Sequence, residues 1–171
     1  MSHVVTRTVV MDNIEALERT CKKLKWIFNR DKKTFRWYNN WMDDSPIPEF
    51  LFSPEENASL QAMSQEARRD YLTNVFGKCE HSISIPGCKY EIGLMRTWDG
   101  KLVPVWDWFY SGGLPYVLGT PDEPEKNPLM QTYTIERLKM NLEEQGVEYS
   151  EVWNEISKVH EIEVVTGGVW G

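Results

Sequence analysis

Hydrophobic positions recur every three or four residues early in this chain and every two residues in its middle. Ile14, Leu17, Cys21, Leu24 and Phe28 are spaced by three and four. At 100° per residue they fall in an arc of about 80°, which predicts one amphipathic helix packed on a sheet. Glu15, Arg19 and Lys22 take the opposite side, and Asp12 or Asn13 is placed to cap the helix. Ahead of it, residues 4–10 are β-branched at nearly every position, the composition of a strand.

Arg30-Asp31-Lys32-Lys33 reads as a polar turn and residues 34–38 as a strand. Ser45-Pro46-Ile47-Pro48 breaks regular structure. Ser53-Pro54-Glu55-Glu56 then starts a helix, with Ser53 as cap, Pro54 in the first turn and Glu56 where a capping box places a carboxylate. A second helix start falls at Ser64, and Gly77 ends the helical stretch. Ile83 and Ile85 alternate with Ser82 and Ser84. Residues 90–97 and 102–110 flank Trp98-Asp99-Gly100-Lys101, where Asp-Gly tolerates the positive φ of a tight turn. Three successive antiparallel strands are predicted between about residues 80 and 110.

Residues 111–128 are rich in Gly and Pro, and connections longer than ~12–15 residues are usually functional or disordered. A helix follows over 129–145, ended by Gly146. Ile135, Leu138 and Leu142 form one stripe, and Leu129, Tyr133, Met140 and Val147 fall roughly opposite. A helix apolar on two sides is sandwiched, here between the sheet and either a short helix at 150–157 or another subunit. Residues 159–165 read as a closing strand and 167–171 as a loose tail.

This order of elements predicts the α+β class: a mostly antiparallel sheet with helices on one face. The specific expectation is a ferredoxin-like core with a helical insertion at about 45–76 and a long loop at 111–128, all within one domain spanning 1–171. Ile14, Leu17, Leu24, Ile135, Leu138 and Leu142 are expected to face the sheet.

Composition narrows the class of protein. Of 171 residues, 41% are hydrophobic and 26% charged, which is globular rather than disordered. No apolar run approaches the ~20 residues of a membrane span. The first residues carry no secretory-signal pattern, and the three cysteines, Cys21, Cys79 and Cys88, cannot all pair within one chain. Both point to a reducing cytoplasm. The net charge of −7 disfavours nucleic acid, whose phosphates supply most of the affinity for basic proteins. The basic run from Lys22 to Arg36 reads as a solvated helix face and turn.

The compositional anomaly is aromatic: eight tryptophans, with two clusters that mix rings and polar groups. One is Trp37-Tyr38-Asn39-Asn40-Trp41 and the other Trp106-Asp107-Trp108-Phe109-Tyr110. Such rings either fill a thin core or stack on a ligand whose edges the Asn and Asp side chains reach. If they bind, Arg36, Trp37, Asn39, Trp41, Trp106 and Asp107 should contribute to one cleft edged by the 111–128 loop. Cys79-x-His81 followed by Cys88 lacks the paired spacing of a zinc finger or ribbon, so no metal and no cofactor are expected. There is no Gly-x-Ser-x-Gly nucleophile motif, and Ser111-Gly112-Gly113 lacks the spacing and Lys of a phosphate loop.

Two dense segments carry a family resemblance. Thr34-Phe35-Arg36-Trp37-Tyr38-Asn39-Asn40-Trp41 is one, and Gly77-Lys78-Cys79-Glu80-His81-Ser82-Ile83 continuing into Pro86-Gly87-Cys88-Lys89-Tyr90-Glu91-Ile92-Gly93 is the other. With the opening Met1-Ser2-His3 and the run Leu129-Met130-Gln131-Thr132-Tyr133, they resemble the small hydrophilic family first named as hypothetical chloroplast reading frame thirty-five. That family occurs in plastids, cyanobacteria, other bacteria and bacteriophages. The chain departs from its pattern at 50–76, at 111–128 and in the C-terminal region, insertions that would suit a phage-borne copy. The resemblance implies an α+β protein with no assigned catalytic motif. The aromatic and polar clusters, the long loop and Arg36 make the expected function a non-enzymatic binding protein for a small polar or aromatic ligand such as a nucleotide. The alternatives are an interaction module that inhibits or scaffolds a host complex, with self-association through helix 129–145, and a small metal-dependent hydrolase.

Overall fold

The computed structural model describes residues 4–5, 9–39, 47–120, 123–156 and 159–165. The first helix, α1 (Ile14–Leu24), begins where Asn13 accepts the amide of Ala16 at 2.8 Å. It stops at Lys25, which adopts the left-handed conformation (φ 60°) and returns its amide to the last turn. The helix therefore ends before Phe28, which belongs instead to the strand β2 (Ile27–Asn29). The strand β1 is described only at Val4–Val5, where it pairs with residues 106–107. Residues 9 and 10, expected to continue it, have no strand structure.

The insertion forms as its capping residues dictate. Ser53 and Glu56 make the reciprocal capping box of α2 (Pro54–Ala62), and Ser64 caps α3 (Gln65–Val75). Then come β3 (His81–Ser84), β4 (Ile92–Arg96) and β5 (Leu102–Asp107). Gly100 turns between β4 and β5 at φ 85°. The 111–128 segment is not structureless: it holds the one-turn helix α4 (Leu114–Leu118). Asn127 caps α5 (Pro128–Glu144) through bonds from the amides of Leu129 and Met130. The chain closes in a hairpin of β6 (Tyr149–Asn154) and β7 (Val159–Val164). Residues 150–156, expected as part of a short helix, are thus mostly strand, and the expected strand at 159–165 is present.

The main sheet runs β1-β5-β4-β3-β2, every pair antiparallel. The class is α+β, as the pattern predicts. The strand order is not that of a ferredoxin-like core. In a split β-α-β unit one strand lies between the two parallel strands; here three lie between β1 and β2, so α1 crosses the whole sheet.

Helices also cover both faces rather than one. Side chains alternate across β5, which is buried along its full length. Leu102 and Trp106 join Leu17, Cys21, Ile83, Leu94, Leu114 and Leu129 in a core under α1, α4 and α5. Val103 and Val105 join Leu60, Leu72, Phe76, Phe35 and Trp37 in a second core under α2 and α3. The inserted helices are therefore a third layer. The indole N–H groups of Trp106 and Trp108 are buried with no hydrogen-bond partner among the described residues.

The face that α5 turns inward is Leu129, Met130, Tyr133 and Met140. Leu138, expected in the core, is 42% exposed, while Leu17 is fully buried. Ile14, Leu24, Ile135 and Leu142 are only half-buried. Of the two candidate stripes on α5, the one containing Tyr133 faces the core, and its hydroxyl accepts the amide of Asn13 at 3.2 Å. Among the described residues no helix is long and apolar enough to cross a membrane.

Candidate functional site

Residues 33–36 are threaded between two neighbours by backbone bonds. Cys79 donates to the Lys33 carbonyl, Phe35 to that of Gly77 and Glu91 to that of Arg36, each at 2.9 Å. Only an isolated bridge, Thr34 to Lys78, counts as strand pairing, so the strand expected at 34–38 is an extended segment. Side chains complete the attachment. The buried Glu91 carboxylate accepts the Arg36 amide at 2.9 Å, Lys32 Nζ at 2.9 and 3.0 Å, and Ser84 Oγ at 2.7 Å. Burial alone would raise its pKa, but these bonds from Ser84, Lys32 and the Arg36 amide outweigh it and hold the group below the usual carboxylate value.

The rings of Phe35 and Trp37 point inward, while that of Tyr38 is partly exposed. Trp37 meets Phe76 edge-on at 4.6 Å and lies against Gly77. A Cβ at Gly77 would sit 2.6 Å from the indole nitrogen, and its φ is 100°, so both space and backbone require glycine there. Tyr38 donates its amide to Asp107 at 3.0 Å and places its ring 5.0 Å from Phe109. Asn39 takes a left-handed φ of 63°, which asparagine tolerates better than most residues.

A groove of about 480 Å³ opens over this arrangement. Arg36, Trp37 and Asn39 form one wall, Thr73, Asn74 and Phe76 a second, and Lys78, Lys89 and Tyr90 the remainder. Arg36 is held from behind, because its Nε donates to the Lys89 carbonyl at 3.1 Å and lies 3.5 Å from the buried Glu91 carboxylate. Its two terminal amino groups make no hydrogen bond among the described residues, and its side chain is 62% exposed. Neither Lys78 nor Lys89 has a carboxylate within salt-bridge distance among the described residues, and no carboxylate lines the groove. Three cations therefore share one concavity on a chain of net charge −7.

Of the six residues expected at one cleft, the five that are described separate into three groups. Arg36, Trp37 and Asn39 line the groove. Asp107 lies behind it as a buried acceptor for Tyr38 and Phe109. Trp106 is buried in the other layer, under α1 and α5, because neighbouring residues on a strand point to opposite faces. Trp41 lies outside the described residues. The start of the 111–128 segment adjoins the groove, where the Gly112 carbonyl accepts the amides of Lys89 and Tyr90. Lys78 and Lys89 were not singled out from the sequence; each sits inside a segment that carries the family resemblance, and its neighbours drew attention by their rings, Cys and His.

The cysteines are free thiols. Burial pushes Cys21 up to about 12 and Cys79 up to about 11. The Asp31 amide donates to His81 Nδ1 at 2.9 Å, and burial lowers the imidazole pKa, so His81 is a neutral acceptor. No three His, Cys, Asp or Glu side chains gather to hold a metal among the described residues. The chain matches no protein-family model, no curated protein and no solved structure.

Proposed function

We propose that this chain is a non-enzymatic binding protein whose groove at Arg36, Lys78 and Lys89 holds a small anionic ligand, a nucleotide being the expected class. The observation that carries this is a groove on an acidic chain lined by three cations and, among the described residues, by no carboxylate, the Glu91 partner of Arg36 being buried behind it. Arg36 is positioned by Nε and offers its remaining donors in a planar fork, the geometry that matches phosphate or carboxylate. Asn39, Thr34, Thr73 and Asn74 supply neutral hydrogen-bonding groups around it. Trp37 acts as floor rather than stacking platform, since its ring is spent on Phe76 and Gly77. The two segments that resemble the reading-frame-thirty-five family form facing parts of this groove, which supports a shared role for them.

Calorimetric titration with nucleoside mono-, di- and triphosphates, the parent nucleosides and inorganic phosphate tests the reading. The charged ligands should bind and the neutral nucleosides should not. Arg36→Ala should weaken binding roughly 10–100-fold, the loss of charge-assisted hydrogen bonds. Equal affinity in that variant, or no binding by any anion, overturns the proposal.

A second reading, docking onto a host protein, draws on one observation. Tyr110 and Tyr116 are 61% and 77% exposed and pack edge-on 5.5 Å apart, an aromatic pair offered to solvent. Native mass spectrometry of the protein from its own cells separates the readings: an added protein mass favours docking, and an added small mass favours the groove.

A further inference from the structure

We infer that the cavity between α5 and the β6–β7 hairpin is a second, independent site, for a planar ring ligand bearing a weakly acidic hydroxyl. The cavity measures about 420 Å³ and is lined mainly by apolar surface from Pro124, Met130, Ile135 and Trp153, together with Lys23 and His160. That size and that balance of apolar wall and few polar groups suit a small organic ligand.

The hairpin register creates the polar end. Trp153 pairs with His160 across the strands, and Glu151 lies two residues before Trp153 on the same face. The Trp153 and His160 rings meet edge-on at 4.9 Å. Glu151 is the centre of a charge network. It pairs with Lys23 of α1 and with Lys139 of α5 at 2.8 Å, and its Oε1 lies 3.1 Å from His160 Nδ1. Glu136, buried beneath, pairs with the same two lysines at 3.8 and 3.1 Å.

This network surrounds His160 with charge. Burial, then the nearby Lys23 and Lys139 charges, lower its pKa, so the ring is neutral near pH 7. A carboxylate only accepts, so the inferred arrangement puts the proton on Nδ1, 3.1 Å from Glu151 Oε1, and leaves the Nε2 lone pair for a ligand. The site thus presents an acceptor at Nε2 and an ammonium at Lys23 within an apolar cleft. A ligand O–H can donate to Nε2 while its oxygen accepts from Lys23. The edges of Trp153 and the side chains of Met130 and Ile135 cover the ring. A carboxylic acid or phosphate would bring a full charge beside Glu151 and Glu136, whereas a phenol-like hydroxyl does not.

The probe is 4-nitrophenol, whose neutral and ionised forms absorb differently, so that a shift toward the neutral form on binding reports the O–H donated to Nε2. Wild-type protein should bind it at one site per chain. Trp153→Ala and His160→Gln should each weaken binding roughly 3–10-fold, for a lost ring contact and a lost hydrogen bond. Both residues are more than 40% exposed, so neither change should unfold the chain. Arg36→Ala should leave binding unchanged, which separates this site from the anion groove. No binding by wild type, or unchanged affinity in either hairpin variant, overturns the inference.

Discussion

The Asp107 carboxylate accepts the Tyr38 amide at 3.0 Å, and this contact ties the aromatic segment to β5. The other carboxylate oxygen accepts the Phe109 amide at 2.9 Å. Asp107 is fully buried, so it functions as an internal clamp for two loops. Asp107→Ala leaves two amides without this acceptor and should cost at least about 1–3 kcal/mol, read as a lower urea midpoint. Asp107→Asn keeps one acceptor oxygen and should lose less. An alanine variant as stable as wild type would refute the clamp.

Glu91 makes the fold sensitive to acid. A carboxylate held below its unfolded value stabilises the protein above that value, and the stabilisation fades as pH falls through the folded value. Wild type should therefore lose stability as pH drops below the ordinary glutamate value near 4.5. Glu91→Gln should be less stable at neutral pH and show a shallower acid loss. Denaturant melts at several pH values measure this, and parallel curves for the two proteins would contradict it.

Gly93 is required by a ring. A Cβ there would lie 2.2 Å from Phe35 Cδ1, in the core beneath α2 and α3. Gly93→Ala should cost about 1–3 kcal/mol, the usual penalty of overpacking. The penalty should shrink in a Phe35→Leu background, giving a non-additive double-mutant cycle. Full additivity would show that the alanine methyl does not meet that ring.

Two leucines with similar sequence signals should respond differently. Leu17→Ala should cost about 2–5 kcal/mol, as for other buried truncations. Leu138→Ala should change stability by about 0.5 kcal/mol or less, because the side chain already meets solvent. Thermal or urea unfolding of both variants checks the pair. Equal losses would mean that α5 turns the other stripe inward.

Local signals determined where four of the helices start. Asn13, Ser53, Ser64 and Asn127 cap their helices as their side chains predispose them to, since a cap is satisfied within three residues. The Asp-Gly hairpin was legible for the same reason, as was the inward stripe of α1. The rest depended on the tertiary structure. The periodicity of α5 offered two faces, and only packing against α1 and the sheet selected Tyr133 over Leu138. A buried strand reads alike whether one face or both are covered, so the layer formed by α2 and α3 appeared only in the tertiary structure. Arg36 and Trp37 were legible as an unusual mixture of charge and ring. Their companions Lys78 and Lys89 were not, because surface lysines carry no periodic signal. The backbone bonds from Phe35 to Gly77 and from Glu91 to Arg36 bring those cations to one groove. Trp106 went to the opposite core because a strand alternates its side chains, which no count of neighbouring aromatics reveals.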